Sequence, residues 1–213
     1  MLIKKGAEAS LYLEDWHGRM VVFKRRLPKR YRIPELDEDI RARRTRHESQ
    51  IISRAKKAGV PTPVIFMVDP VEATIVMEFI EGKQVKQILG ELSSEDRVRL
   101  SRHIGELIGR LHKYGIIHGD LTTSNMILTP DDRVVFVDFG LSEWSKELEA
   151  RGVDLHLMKR ALTSAHHQYA EECFRAVMDG YASVMGRRMA EEVLHKIREI
   201  ESRGRYIAKE ERL

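Results

Sequence analysis

The chain has 213 residues, a formal net charge of +4 and one cysteine, Cys173. Charged residues of both signs make up 33% of it, which is typical of a soluble protein surface. This length can form one sizeable domain or two small lobes with a buried core. One cysteine excludes an internal disulfide, and no apolar stretch approaches the roughly 20 residues of a membrane span. We therefore expect a cytoplasmic protein with no membrane partner.

Positive charge is concentrated near the N-terminus. Residues 1–58 contain 16 Lys and Arg against 8 Asp and Glu, whereas the rest of the chain is slightly acidic. The densest basic runs are 24–32 and 41–46. Such runs can bind RNA or an acidic partner surface, although a charge run is more often a solvated face.

The first 60 residues are predicted to form three strands and a helix. The apolar pattern predicts strands over Leu2–Lys5, Ser10–Leu13 and Arg19–Lys24. A helix is predicted over Glu35–Ala58, with Gly59 as its stop.

The third strand and the helix each supply a candidate for nucleotide binding. Lys24 ends the strand where the inner phosphates of a nucleotide would need a fixed positive charge. Glu48, midway along the helix, is the candidate carboxylate that pairs with Lys24; a weak surface pair with Arg44 or Arg46 is the alternative. The connection between the first two strands lies where a glycine loop would cover phosphates, but it has a single glycine. Its residues are Gly6, Ala7, Glu8 and Ala9.

Two further strands, over Val64–Val68 and Ala73–Met77, complete a small lobe of five strands and one helix. Segment 78–82 is predicted to be a hinge, because it ends an apolar strand and enters a polar stretch. Its backbone groups could hydrogen-bond an adenine. The candidate residues at this position are Met77, Glu78, Phe79 and Ile80. The chain is thus predicted to consist of an N-lobe (1–77), the hinge (78–82), a helical C-lobe (83–203) and a C-terminal tail (204–213).

The C-lobe is predicted to be mainly helical. A helix capped by Ser93 or Ser94 and stopped by Gly115 leads to an apolar strand at 115–117. After Gly140 the apolar pattern is helical to the end of the chain.

The sequence HGDLTTSN from His118 to Asn125, followed by an apolar strand and Asp138-Phe139-Gly140, carries the chemistry. Asp120 can orient or deprotonate an attacking hydroxyl or water, and Asn125 and Asp138 can hold a metal ion that bridges phosphates. We therefore predict that the chain binds ATP with Mg²⁺. The alternative is that these are ordinary turn residues at strand ends.

These residues resemble the protein-kinase-like superfamily and, within it, the small atypical kinase subunits, of Bud or PRPK type, of the KEOPS tRNA-modification complex. The superfamily match rests on Lys24, Glu48, Asp120, Asn125 and the triplet 138–140. The narrower likeness is carried by local strings. These strings are 6–9, 29–32 with 34–37, 44–46 with Glu48, and 153–155.

The resemblance implies an α+β, two-lobed fold. It has a small β-rich N-lobe with one long helix and a helical C-lobe that lacks a full activation segment. Asp154 would brace the catalytic loop through backbone hydrogen bonds. The tail 204–213 would reach toward a partner or tRNA, although acidic residues dilute its positive charge.

The resemblance also implies a function: an ATP-dependent component of KEOPS, required for threonylcarbamoyl modification of the tRNA adenosine beside the anticodon. It would act as an Mg-ATPase with weak serine/threonine autokinase activity. Its partners would be the threonylcarbamoyl-transferase subunit and the small subunits of KEOPS, with tRNA contacted indirectly or through the basic surface.

Three departures from ordinary protein kinases bear on the substrate. Gly119 replaces the arginine that senses a phosphorylated activation loop, no proline follows Pro130, and 13 residues separate Gly140 from Asp154. That is too short for a segment that presents a peptide. The alternatives are a free-standing serine/threonine protein kinase, a small-molecule kinase of aminoglycoside or choline type, and a pseudokinase scaffold.

Overall fold

The N-terminal part of the chain forms one antiparallel sheet. The computed structural model describes residues 1–6 and 8–210, with backbone alone for 204–210. The strands are β1 (Leu2–Lys5), β2 (Ala9–Trp16), β3 (Arg19–Arg26), β4 (Ile65–Asp69) and β5 (Thr74–Glu78). Their order is β1-β2-β3-β5-β4, with all neighbours antiparallel. Ala7 and residues 211–213, which belong to the predicted loop and tail, lie outside the described residues.

One long helix, α1 (Pro34–Lys57), packs on this sheet. Proline in the first turn suits a helix start, because its missing N–H would have no partner there. The helix buries the apolar side chains of Ile51, Ile52 and Ala55 together with the carboxylate of Glu48. The face directed at the sheet therefore carries a charge, and that charge must be paired.

The remaining residues form a helical lobe with two small sheets. The helices are α2 (Val85–Ile88), α3 (Ser94–Lys113), α4 (Leu148–Ala165), α5 (Ala170–Met185) and α6 (Arg187–Glu210). One sheet has the order β6-β8-β9, and in the other β7 pairs with β10. These strands are β6 (Lys83–Gln84), β7 (Ile116–Ile117), β8 (Met126–Leu128), β9 (Val134–Phe136) and β10 (Glu143–Trp144). The implied two-lobed α+β fold is confirmed.

Two local predictions, the hinge bounds and the helical pattern after Gly140, need correction. Strand β5 includes Glu78, so the irregular connector is one residue shorter than predicted. The polar stretch after it contains β6 and the short helix α2. The chain after Gly140 is not helical throughout, because β10 precedes α4 and pairs with β7. By contrast, the predicted cap is present, since the Ser93 hydroxyl accepts a hydrogen bond from the Asp96 amide at the start of α3.

No helix within 1–6 and 8–210 is long and apolar enough to cross a bilayer.

Helices α3 and α5 cross very closely at two glycines. A Cβ atom added to Gly105 would lie 1.9 Å from the carbonyl oxygen of Val177, and one added to Gly180 would lie 1.9 Å from that of Arg102. Both obstacles are backbone atoms, which cannot move aside as a side chain can. The two helices therefore fix the spacing on which the C-lobe core is built.

We predict that Gly180→Ala lowers the free energy of unfolding by about 2 kcal/mol or more, because the methyl group forces the two backbones apart. The matched control is Gly90→Ala, since a Cβ atom there meets nothing within 4 Å. Urea denaturation of both variants measures the effect. Equal unfolding midpoints would show that this crossing does not limit stability.

Candidate active site

The ammonium group of Lys24 lies between two carboxylates from distant parts of the chain. Its Nζ atom is 2.6 Å from Oε1 of Glu48 on α1 and 2.7 Å from Oδ1 of Asp138 after β9. Burial alone would lower the pKa of Lys24, but the two carboxylates outweigh burial and raise the pKa above its ordinary value. Lys24 is therefore a fixed cation that joins β3, α1 and the segment after β9.

Glu48 binds a second cation that the sequence analysis did not identify. Its Oε2 atom accepts a hydrogen bond from Arg26 at 2.5 Å, and Arg26 also donates to the Thr45 hydroxyl at 3.3 Å. Lys24 and Arg26 are two apart on β3, so their side chains leave the same face of the strand. Glu48 is 1% exposed and pairs with β3, not with Arg44 or Arg46 on its own helix.

Asp138 has a backbone conformation that is rare outside glycine. Its φ angle is +64°, in the left-handed region. Its carboxylate is partly exposed, and although burial opposes the effect, the charge of Lys24 holds its pKa below the ordinary value. The unusual backbone turns this carboxylate toward Lys24 and the cavity.

The catalytic loop holds Asp120 and Asn125 together. A single 3₁₀ turn, Thr123–Asn125, brings the Asn125 amide back to Asp120. Nδ2 of Asn125 donates to the Asp120 carbonyl oxygen at 3.0 Å and to its Oδ2 atom at 2.8 Å. With this amide orientation, Oδ1 of Asn125 accepts no hydrogen bond from the described residues. It is therefore available as an oxygen ligand.

Asp154 on α4 braces the loop, as the resemblance implies. Its carboxylate accepts hydrogen bonds from the backbone N–H groups of His118 at 2.8 Å and Gly119 at 2.9 Å. The buried ring of His112 lies 3.1 Å from the same carboxylate and 3.1 Å from the hydroxyl of Tyr181. The sequence analysis did not identify His112 or Tyr181. His112 is 42 residues from Asp154 and 69 from Tyr181 along the chain, and helix packing alone brings the three together.

Gly119 is required by the backbone path. Its φ angle is +78°, and a Cβ atom there would lie 2.2 Å from the carbonyl oxygen of Leu141. The position that the superfamily gives to a sensing arginine therefore has no room for any side chain. Beside it, the ring of His118 packs on Phe139 with centroids 4.6 Å apart, which fixes the loop against the segment that carries Asp138.

Two adjoining openings form one cleft beside these groups, and both are lined by Lys24 and Asp138. The first is mainly apolar. Its further lining includes Ile3, Val22, Met77, Glu78, Phe79, Ile80, Asn125 and Ile127. The second opening faces the short loop and the catalytic aspartate. Its further lining includes Gly6, Glu8, Ala9, Arg26, Asp120 and Gly140.

At the hinge, one of the predicted backbone N–H groups is already used within the protein and another is free to bind a ligand. The N–H of Glu78 already donates to the Val64 carbonyl at 2.8 Å, and the Glu78 carboxylate accepts from the Val64 N–H at 2.9 Å. The N–H of Ile80 has no partner among residues 1–6 and 8–210. Ile80, not Glu78, therefore carries the donor that a bound ring system could use.

A model of the RIO domain matches residues 24–152. The KEOPS complex subunit Bud32 of Pyrococcus abyssi is 48% identical over 211 residues, which cover 96% of each chain. A probable serine/threonine-protein kinase BUD32 homolog of Archaeoglobus fulgidus is 44% identical over 97% of each chain. A probable bifunctional tRNA threonylcarbamoyladenosine biosynthesis protein of Methanothermobacter thermautotrophicus is 49% identical over 96% of this chain, which spans only 36% of that protein.

The RIO-domain match includes all the proposed catalytic and metal-binding residues, from Lys24 to Asp138, and it ends two residues before Asp154, which braces the loop. The match to the Pyrococcus protein extends over nearly the whole of both chains. The chain therefore belongs to the RIO-domain family of protein-kinase-like proteins and, within it, to the Bud32 family.

Proposed function

We propose that this kinase-type enzyme is the ATP-dependent subunit of a KEOPS complex. It would be required for threonylcarbamoyl modification of tRNA adenosine beside the anticodon. The relatives support this assignment, because one is named a KEOPS subunit and another a tRNA threonylcarbamoyladenosine biosynthesis protein. The transferase and small KEOPS subunits are the proposed partners, and the cytoplasm is the proposed location.

The observation that carries the enzymatic part of the proposal is the double ion pair of Lys24 with Glu48 and Asp138, at 2.6 and 2.7 Å. A scaffold protein without chemistry would not need a buried lysine to join the two lobes at the cleft. Burying an ammonium group is costly, and the two carboxylates offset that cost only while both lobes are in place. This arrangement argues against the pseudokinase alternative.

The donor set fits Mg-ATP. The carboxylate of Asp138 and the free amide oxygen of Asn125 are hard oxygen ligands of the kind that Mg²⁺ prefers. Lys24 supplies positive charge to phosphates, and the apolar opening beside Met77 and Ile80 suits an adenine. When bound, the metal ion would neutralise charge on the phosphates. Asp120 would orient or deprotonate the attacking hydroxyl or water.

The short segment after Gly140 limits which acceptor the enzyme can use. Seven residues, 141–147, precede α4, and two of them form β10. This segment is too short to form a platform for a peptide. We therefore propose water as the main acceptor in the assembled complex, with slow autophosphorylation when the chain is alone. A serine/threonine kinase is the second candidate, supported by the name of the Archaeoglobus relative and by the position of Asp120 at the cleft.

We predict that Asp138→Asn lowers Mg-dependent ATP turnover by about 100-fold or more, because it removes a charged metal ligand. Asn tolerates the left-handed backbone, so the fold should persist. The matched control is Asp132→Asn, because Asp132 also has a left-handed φ angle, +59°, but lines neither opening of the cleft. Unchanged turnover in Asp138→Asn, with turnover measured at saturating Mg²⁺, would refute the metal role.

We predict that Lys24→Met and Glu48→Gln each lower turnover strongly, while the double variant is little worse than either, because both break one arrangement. Their effects on stability should differ. Glu48→Gln leaves the buried Arg26 without a carboxylate partner, while Lys24 keeps Asp138, and should cost about 3–5 kcal/mol, whereas Lys24→Met leaves Glu48 paired with Arg26 and should cost less. Urea denaturation and steady-state kinetics on the same samples test both statements. Additive kinetic losses would show that the two residues act separately.

We predict that the transferase subunit and tRNA together raise the ratio of free phosphate to phosphoprotein formed from labelled ATP. The measurement compares the chain alone with the assembled complex, and a complex built with Asp138→Asn serves as the background control. Efficient phosphorylation of a defined peptide, with hydrolysis unchanged by the partners, would favour the serine/threonine kinase instead.

A further inference from the structure

The edge strand β1 places a lysine on the same face of the sheet as Lys24. In the strand register, Lys4 lies opposite Leu11, and Leu11 lies opposite Lys24. Residues directly opposite each other in antiparallel strands share a face. Lys4 is therefore two strands from Lys24, at a Cα separation of about 10 Å from the strand spacing. Both openings of the cleft are lined by Lys4 as well as by Lys24 and Asp138.

Lys4 differs from the other cations of the cleft in having no carboxylate partner. Lys24 is held by Glu48 and Asp138, and Arg26 is held by Glu48. Within residues 1–6 and 8–210, no hydrogen bond or ion pair involves the side chain of Lys4. Burial of Asp138 opposes a low pKa, but Lys24 lowers the pKa of this carboxyl group. Lys4 is close enough to Asp138 to add to that lowering.

The loop above the cleft lacks the features of a glycine-rich phosphate loop. A glycine-rich loop binds phosphates through closely approaching backbone N–H groups. Here the loop has one glycine, and the Gly6 N–H is used internally, donating to the Ala9 carbonyl at 2.9 Å. The carboxylate of Glu8 lines the same opening and is held by Arg44 of α1. The described part of the loop therefore brings a paired carboxylate, and no free N–H of Gly6, to the place where phosphates would lie.

We propose that Lys4 is a phosphate-binding residue that takes over part of the role of the missing glycine loop. Its ammonium group would contact the phosphates of the nucleotide from the β1 side, while Lys24 contacts them from β3. The inference rests on the proposed function, since it requires that the cleft binds a nucleoside di- or triphosphate.

The adjacent lysine provides the comparison with an ordinary surface charge. Lysines on edge strands commonly serve to prevent sheet-to-sheet association. Lys5 lies opposite Ser10, and Ser10 lies opposite Arg25, so Lys5 is on the other face of the sheet. It lines neither opening of the cleft. Lys5 is thus a matched control of the same residue type, in the same strand, with similar exposure.

The test is the dissociation constant of Mg-ADP and of adenosine, measured by calorimetry for the wild-type chain and for Lys4→Met, Lys4→Arg and Lys5→Met. We expect Lys4→Met to weaken Mg-ADP binding about tenfold, the order of one charged contact in a partly exposed site. Adenosine affinity should not change, because adenosine has no phosphate. Lys4→Arg should keep most of the affinity, and Lys5→Met should match the wild type.

Two results would overturn the inference and leave the proposed function standing. One is equal Mg-ADP affinity in the wild type and Lys4→Met. The other is a parallel loss of adenosine affinity in Lys4→Met, which would indicate a disturbed loop or strand. Failure of the proposed function is distinguishable from both, because the wild-type chain itself would then bind no Mg-nucleotide, and the inference would fall with it.

Discussion

The pairing of Lys24 with Glu48 and Asp138 is the interaction on which the site depends. Each of the three residues comes from a different element, and Lys24 and Glu48 are almost fully buried. Charges in such positions are tolerated only when they are paired, so sheet, helix and the segment after β9 must meet at one point. Arg26 adds a second bond to Glu48, which means that helix α1 is attached to β3 independently of Asp138. A ligand that draws Asp138 away from Lys24 would leave the N-lobe arrangement intact.

The catalytic loop depends on the helical lobe in a comparable way. Asp154 holds two backbone N–H groups of the loop, and it is itself held by His112 on α3, which contacts Tyr181 on α5. The close crossing of α3 and α5 therefore also sets the position of the loop. Stability and chemistry share this part of the core, so a packing change there should reach Asp120 without touching it.

The pattern of apolar residues in the sequence was sufficient to place the longer strands and helices. The bounds of β1 agree with the predicted ones, and α1 differs from its prediction by one residue at each end. The missed features depend on contacts between distant residues. Two-residue strands such as β10 are too short to show a periodic pattern. The sequence shows that Gly119 replaces an arginine, but it does not show that the Leu141 carbonyl oxygen leaves no room for a side chain there. Arg26 was missed because the predicted strand ended at Lys24, whereas β3 continues to Arg26 and puts both side chains on one face.

The number of basic residues in a segment is a poor guide to whether that segment forms a binding surface. The two basic runs of residues 1–58 suggested a patch for RNA or an acidic partner, yet most of their cations have carboxylate partners. The paired ones are Lys24, Arg25, Arg26, Arg32, Arg41, Arg43 and Arg44. Lys24 and Arg26 join β3 to α1, and the charges of all seven are less available to a partner than unpaired ones. Several exposed cations of residues 1–58 have no ion pair in the described residues, namely Lys4, Lys5, Arg19, Arg30, Arg46, Arg54, Lys56 and Lys57. Of these exposed cations, Lys4 alone lines the two openings of the cleft, so the unpaired charge that borders the site comes from β1 and not from the basic runs.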